Sequence, residues 1–316
     1  GARSVRRHGK GLIEGRETSR ENDVMDDELA RRLLGVLERV EPWLPPTPVE
    51  VDWQRDVAAL WQRHALGGSL TPVPPRDAMR LDDLLGIERQ KQALVDNTRA
   101  FLQGYPANHA LLWGARGGGK SSLVRALLND LAEEGLRLVQ VDRHDLAALP
   151  VLVERLRREP HRFVVYCDDL SFEGHDDAYK ALKSVLDGTL TGPPENVLLY
   201  ATSNRRHLLP ESMSDNDDSR LVGEELHHGD AVEEKISLSD RFGLWLSFRP
   251  FDQATYLQAC AHWVTWLGDD GDWNDEARTE AVRYATLRGG RSGRVAWQFA
   301  CQWVGRLRLE GGGVAA

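Results

Sequence analysis

The chain has 316 residues, enough for one large domain or two smaller ones around a sizeable core. Hydrophobic residues at 41% and charged residues at 28% are the balance of an ordinary globular protein, and a net charge of −9 argues against a surface that binds nucleic acid indiscriminately. Cys167, Cys260 and Cys301 are far apart with no Cys-x-x-Cys pair, which argues against a disulfide framework or zinc ribbon and suits a reducing, cytoplasmic setting; no apolar run approaches the roughly 18–20 residues of a membrane span, and the charged N-terminus lacks the apolar segment of a secretory signal.

In chain order, residues 1–24 have no periodicity and read as a disordered arm, basic through Arg3, Arg6, Arg7, Lys10, Arg16 and Arg20. Residues 26–40 place Leu29, Leu33, Leu34, Val36, Leu37 and Val40 at helical spacing, and Pro42, Pro45, Pro46 and Pro48 end that helix. A second helix is predicted over 57–66, with Trp53 and Trp61 for packing. Residues 67–77, with Pro72, Pro74 and Pro75, read as a linker and the main domain boundary.

Beyond Leu81 short apolar runs alternate with helical segments. Strands are predicted over 109–113, 137–141, 162–167, 196–202 and 244–248, and helices over 119–134, 146–158 and 176–186. Continuous apolar strands separated by helices indicate a parallel sheet covered on both faces. Residues 211–234 form an acidic insertion (Asp215, Asp217, Asp218, Glu224, Glu225, Asp230, Glu233 and Glu234 against Arg220) that reads as an exposed, mobile loop. Three helices are predicted after Pro250, over 253–267, 275–287 and 293–308.

Gly114-Ala115-Arg116-Gly117-Gly118-Gly119-Lys120-Ser121 matches G-x-x-x-x-G-K-[ST] between a predicted strand and a helix that opens at Ser122. Glycines let the backbone curl so that successive N–H groups face phosphate oxygens, and the helix N-terminus adds its positive dipole end. In this setting Lys120 meets the β- and γ-phosphates of ATP, and Ser121 offers its hydroxyl to Mg²⁺. The apolar run 163–167 ends in Asp168-Asp169. A carboxylate at the C-terminal end of a neighbouring parallel strand points into the ligand crevice, so Asp168 is the expected Mg²⁺ partner, through a water. Asp169 either orients the attacking water or caps the next turn.

Taken together these residues resemble an AAA+ ATPase over roughly residues 81–309. Residues 198–204, ending in Asn204, resemble the sensor 1 strand. Ser239-Asp240-Arg241-Phe242 resembles the segment carrying an arginine finger, and Gly293-Arg294-Val295-Ala296 the start of the sensor 2 helix, with Arg291 as a rival to Arg294. Residues 81–87 resemble the stretch that lines the adenine pocket, which implies contacts from Leu85 and Ile87. The strings CDDLSFE, ATSNRRHL and EKISLSDRFGLWLSF are similar to the bacterial DUF815 family of AAA+-type ATP-binding proteins.

The resemblance implies an α/β P-loop NTPase with a parallel five-stranded sheet flanked by helices. Its core would span 78–250, with a helical lid over 251–316 and an N-terminal helical extension and linker over 25–77. It further implies Asp169, Asn204, Arg241 and Arg294 as the catalytic set, ATP and Mg²⁺ as cofactors, and a homo-oligomer in which Arg241 serves a neighbour's nucleotide. Two departures stand out. The acidic pair is Asp-Asp where Asp-Glu is usual, with Glu173 nearby as a substitute, and the insertion before Arg241 exceeds the usual spacing.

Simpler roles compete. Asn204 would close a strand end, Arg241 would pair with Asp240, Arg116 would face solvent or else reach a phosphate or a neighbour, and the ten tryptophans would be packing groups. His227 and His228 with Asp230 lack a third spaced ligand and read as a polar loop rather than a metal site. The expected function is an ATPase that remodels a macromolecular partner, a protein in preference to nucleic acid, with no membrane. A nucleotide-dependent switch or scaffold with little hydrolysis, a DNA-linked loader, and least of all a small-molecule kinase are the alternatives.

Overall fold

The computed structural model describes residues 32–36, 39, 50–64, 67–74, 79–172, 177–188, 192, 194–205 and 238–312. The basic arm, the acidic insertion, Glu173, His227, His228 and Asp230 lie outside the described residues. The chain divides into two units, residues 1–48 and 49–316. In the first, residues 32–36 and 39 are helical, as the apolar spacing predicts.

The second unit is built on a seven-stranded sheet. Its strands are β1 (Ala58–His64), β2 (Gly67–Pro72), β3 (Ala110–Gly114), β4 (Leu136–Val141), β5 (Arg162–Cys167), β6 (Val197–Ser203) and β7 (Leu244–Phe248), in the order β2-β1-β4-β5-β6-β3-β7. All pairs are parallel except β1 with β2. The helices are α1 (Glu88–Leu102), α2 (Lys120–Leu131), α3 (Leu149–Arg157), α4 (Asp177–Asp187), α5 (Gln253–Leu267), α6 (Asp275–Leu287) and α7 (Gly293–Gly312).

Alternation along β5 shows why its run is apolar throughout. Phe163, Val165 and Cys167 enter a core shared with α3 and α4, while Val164 and Tyr166 enter a second core shared with α1 and α2. Helices α5–α7 close a third core around Tyr256, Trp263, Phe299 and Trp303. No helix among the described residues is long and apolar enough to cross a membrane.

The α/β class is as expected, but two strands extend the five foreseen. The helix expected over 57–66 is β1, and the linker expected over 67–77 begins with β2. Ala59 and Trp61 face the core at a spacing of two, and β1 pairs with β4 on one side (Ala58↔Leu138) and β2 on the other (Trp61↔Leu70). Gly68 is a packing position, since a Cβ there would sit 2.1 Å from the Trp61 ring. Helix α1 lacks any counterpart in the sequence reading. It buries Leu94, Val95, Thr98 and Phe101 on one face and is otherwise polar.

The parallel strands bring their C-terminal ends to one edge. Strand β5 is not the direct neighbour of β3, because β6 runs between them. The aspartates after β5, Asn204 after β6 and the glycine turn after β3 therefore meet in that order along the edge.

Candidate functional site

The turn after β3 is fixed from below by β7. Gly114 sits at φ 127°, where a Cβ would lie 2.1 Å from the Phe248 carbonyl oxygen, and the Ala115 amide donates to that same oxygen at 3.1 Å. Gly119, at φ 97°, turns the chain into α2. The helix thus opens with its unpaired amides and positive dipole end facing the turn, the arrangement that binds phosphate. From the C-terminal helices, the Arg294 amide donates to the Gly117 carbonyl at 3.2 Å.

Lys120 is 7% exposed, and its Nζ donates to the carbonyls of Gly114 (2.7 Å) and Ala115 (2.9 Å) and to Asn204 Oδ1 (3.1 Å). Burial holds its pKa below the usual lysine value. Asp169 and Asp168 oppose that shift, while Arg294 and Arg116 reinforce it.

Ser121 Oγ donates to Asp168 Oδ1 at 2.7 Å, and Thr202 Oγ1 donates to the same oxygen at 2.5 Å. Burial alone would raise the Asp168 carboxyl. The bonds from Thr202 and Ser121, with Tyr166 close by and the Asp169 amide, outweigh burial and leave it below the usual carboxylate value. Asp169 adopts φ 51°, a left-handed conformation uncommon outside glycine but tolerated by aspartate. Its amide donates to Thr202 Oγ1 at 2.8 Å and its carboxylate accepts from Asn204 Nδ2 at 2.5 Å. Thr202 is therefore the hub between the two aspartates. Asp169 turns its carboxylate toward Asn204, which does more here than close a strand end.

These groups line a cavity of about 720 Å³. Leu85 and Ile87 line it before α1, as do Gly117–Gly119, Lys120, Ser121 and Ser122 from the turn, and Asp168, Asp169 and Asn204. Arg116 is exposed, as expected, and also lines the cavity. Gly114 and Ala115 contribute through the carbonyls that hold Lys120. Arg294 lines the cavity; its rival Arg291 instead reaches Gln253 Oε1 at 3.3 Å and accepts the Phe251 amide.

Arg241 stands apart. It forms an ion pair with Asp187 at the end of α4, not with Asp240 as the sequence alternative had it. It precedes β7, whose far end, Phe248, touches the glycine turn. A five-residue strand spans about 13 Å, so Arg241 lies at the opposite edge of the sheet from Lys120.

Four contributors escaped the sequence reading: Thr202, Tyr166, and Trp263 and Trp297, which line the cavity from α5 and α7. The two tryptophan rings meet edge to face at 4.9 Å. Trp297 lies three residues beyond Arg294 on one helix, a spacing that could have marked the shared face. No comparable signal marked Thr202 or Tyr166.

The donors fit magnesium. Ser121 and Asp168 are hard oxygen ligands, and this ion is commonly held by one or two protein oxygens plus phosphates and water. Among the described residues no cluster of three or more His, Cys, Asp or Glu side chains forms an all-protein metal cage.

Solved structures with partial likeness include the Thermotoga maritima RuvB Holliday junction branch migration motor, with a TM-score of 0.45 and 17% identity over 70% of this chain and 62% of that one. The Aeropyrum pernix Orc1 protein in complex with DNA gives 0.49 and 16% over 72% and 61%. A DNA replication initiation factor gives 0.44 and 16% over 73% and 64%. The chain thus spans about three fifths of the length of the structures it matches. Residues 54–307 match the family described as Protein of unknown function (DUF815), and the chain belongs to that family.

Proposed function

We propose that the chain binds ATP with Mg²⁺ between an α/β core and a lid of helices α5–α7, hydrolyses it, and uses loss of the γ-phosphate to remodel a macromolecular partner. The observation that carries this reading is the 2.7 Å contact between Ser121 Oγ and Asp168 Oδ1 at the opening of α2. It supports the reading because a hydroxyl and a carboxylate, both suited to a phosphate-bound cation, come together there. Lys120 would exchange its carbonyl partners for phosphate oxygens, and the amides of the turn would complete the cradle. Ser121 and Asp168 would hold Mg²⁺, which offsets phosphate charge when bound. Asp169, steadied by Asn204, would orient the lytic water, and Arg294 would contact the γ-phosphate from the lid. The Arg294–Gly117 backbone bond links lid and phosphate turn, so a change at the phosphates has a short route to the lid.

Arg241 would act on a neighbouring copy, because its place at the far edge of the sheet keeps it from its own phosphates. An arginine supplied this way is worth about 10³–10⁵ in rate. The test is ATPase rate per protomer against protein concentration. A rate that rises with concentration in the parent, and stays flat and low in Arg241→Ala, supports a shared site; a concentration-independent rate equal in both opposes it.

The second reading, a nucleotide-dependent switch with little hydrolysis, is favoured by one observation. The Asp169 carboxylate is engaged by Asn204 and is one methylene shorter than glutamate. Asp169→Asn separates the two readings, since it lowers turnover only if the parent turns over.

A further inference from the structure

Strand β5 directs Val164 and Tyr166 toward α2, and Asp168 follows two residues on. The surroundings of Tyr166 on that face are apolar, with Val164, Leu123, Val124 and Leu127 in the same core. Tyr166 is 2% exposed, and no group among the described residues meets hydrogen-bond geometry with its buried Oη. The polar side chains in electrostatic reach of that oxygen are Ser121, Asp168 and Thr202, the groups that form the metal side of the site. A buried hydroxyl without a partner is unfavourable, and phenylalanine would fill the same space without that penalty. The oxygen already lies close enough to Asp168 to favour its carboxylate, and a small shift of Asp168 or Ser121 on binding a cation would complete the bond.

We propose that Tyr166 is a positioning residue for the bound cation, its hydroxyl holding Asp168 and Ser121 in the orientation in which they serve as ligands. The inference rests on the nucleotide and metal reading above and names a group beyond it. Outer partners of this kind fix the rotamer of a ligating side chain, and their loss typically lowers metal affinity about 10–100-fold.

The test measures Mn²⁺ affinity by electron paramagnetic resonance of free Mn²⁺, using full-length protein saturated with ADP, for the parent, Tyr166→Phe, Tyr166→Met and Asp168→Asn. The expected result is a roughly tenfold or greater loss of Mn²⁺ affinity in both Tyr166 variants, with metal-free ADP affinity and unfolding temperature unchanged or the latter raised. A phenol that only packs would leave Mn²⁺ affinity as it was, whatever its effect on unfolding temperature. Mn²⁺ affinity within twofold of the parent in either folded Tyr166 variant, while Asp168→Asn loses the metal, overturns the role of Tyr166 alone. Unchanged affinity in Asp168→Asn overturns the metal site itself and this role with it.

Discussion

Thr202→Val isolates the hub of the site. Thr202 is 1% exposed; it donates to Asp168 Oδ1 at 2.5 Å and accepts the Asp169 amide at 2.8 Å. Valine keeps the shape and removes both bonds. A hydrogen bond to a charged group contributes about 1.5–3 kcal/mol when shielded; because the Asp168 carboxylate opens to solvent, about 1 kcal/mol is the fitting share. Leaving the Asp169 amide without its acceptor costs about 1–3 kcal/mol more. The variant should thus lose about 2–4 kcal/mol of unfolding free energy in urea at pH 7, and Thr202→Ser should recover most of it.

The pH dependence divides the two parts. The Asp168 carboxyl is held below its ordinary value of 3.8, so its share of stability is present above that value and lost as pH falls through the lower folded one. The amide's share does not titrate. The difference between parent and Thr202→Val should therefore shrink, without vanishing, as pH drops below about 4. A valine variant within about 0.5 kcal/mol of the parent at pH 7 would refute the reasoning.

His109 is mostly buried, accepts the Leu199 amide at 3.0 Å through Nδ1, and is held by burial at a pKa of about 4 against the usual 6.5. It must stay neutral in the fold, so its stability is present above pH 6.5 and about 3 kcal/mol is lost as pH falls toward 4; His109→Asn, which keeps an acceptor that does not titrate, should flatten that part of the urea-unfolding profile. Gly114→Ala sets a Cβ against a backbone carbonyl at a strained φ, and should weaken ADP binding roughly tenfold or more in a calorimetric titration, whereas Gly135→Ala, with a left-handed φ of 103° but open space, should cost about 1–2 kcal/mol of stability and leave ADP affinity alone. Because Trp263 and Trp297 line the cavity, adding ADP should change intrinsic tryptophan emission, and the double variant Trp263→Phe/Trp297→Phe should lose that response while still binding.

The strand–turn–helix around Lys120 was legible because two independent patterns coincide there: an apolar run, and glycines in front of a lysine. The apolar runs of β5 and β6 likewise disclosed buried strands, and their last residues disclosed Asp168 and Asn204. Strand β1 was not legible. Its Ala58-Ala59-Leu60-Trp61-Gln62 is rich in good helix formers, and only pairing with β4 and β2 decides the matter. Helix α1 was hidden by its polarity, since few apolar residues anchor it. Thr202 and Tyr166 were invisible for a different reason. Within an apolar strand the pattern reveals burial, whereas the partner of a buried hydroxyl depends on which strand lies alongside, here β6 between β3 and β5. The remoteness of Arg241 from Lys120 likewise follows from the direction of β7, which spacing alone does not reveal.

The central claim is that Lys120 and its turn hold a nucleotide. Calorimetric titration of the full chain with ATP and excess magnesium tests it most directly, alongside Lys120→Ala. Saturable one-site binding in the parent, weakened at least about tenfold by the substitution, is the predicted result. No binding in the parent, or equal affinity in Lys120→Ala, would contradict it.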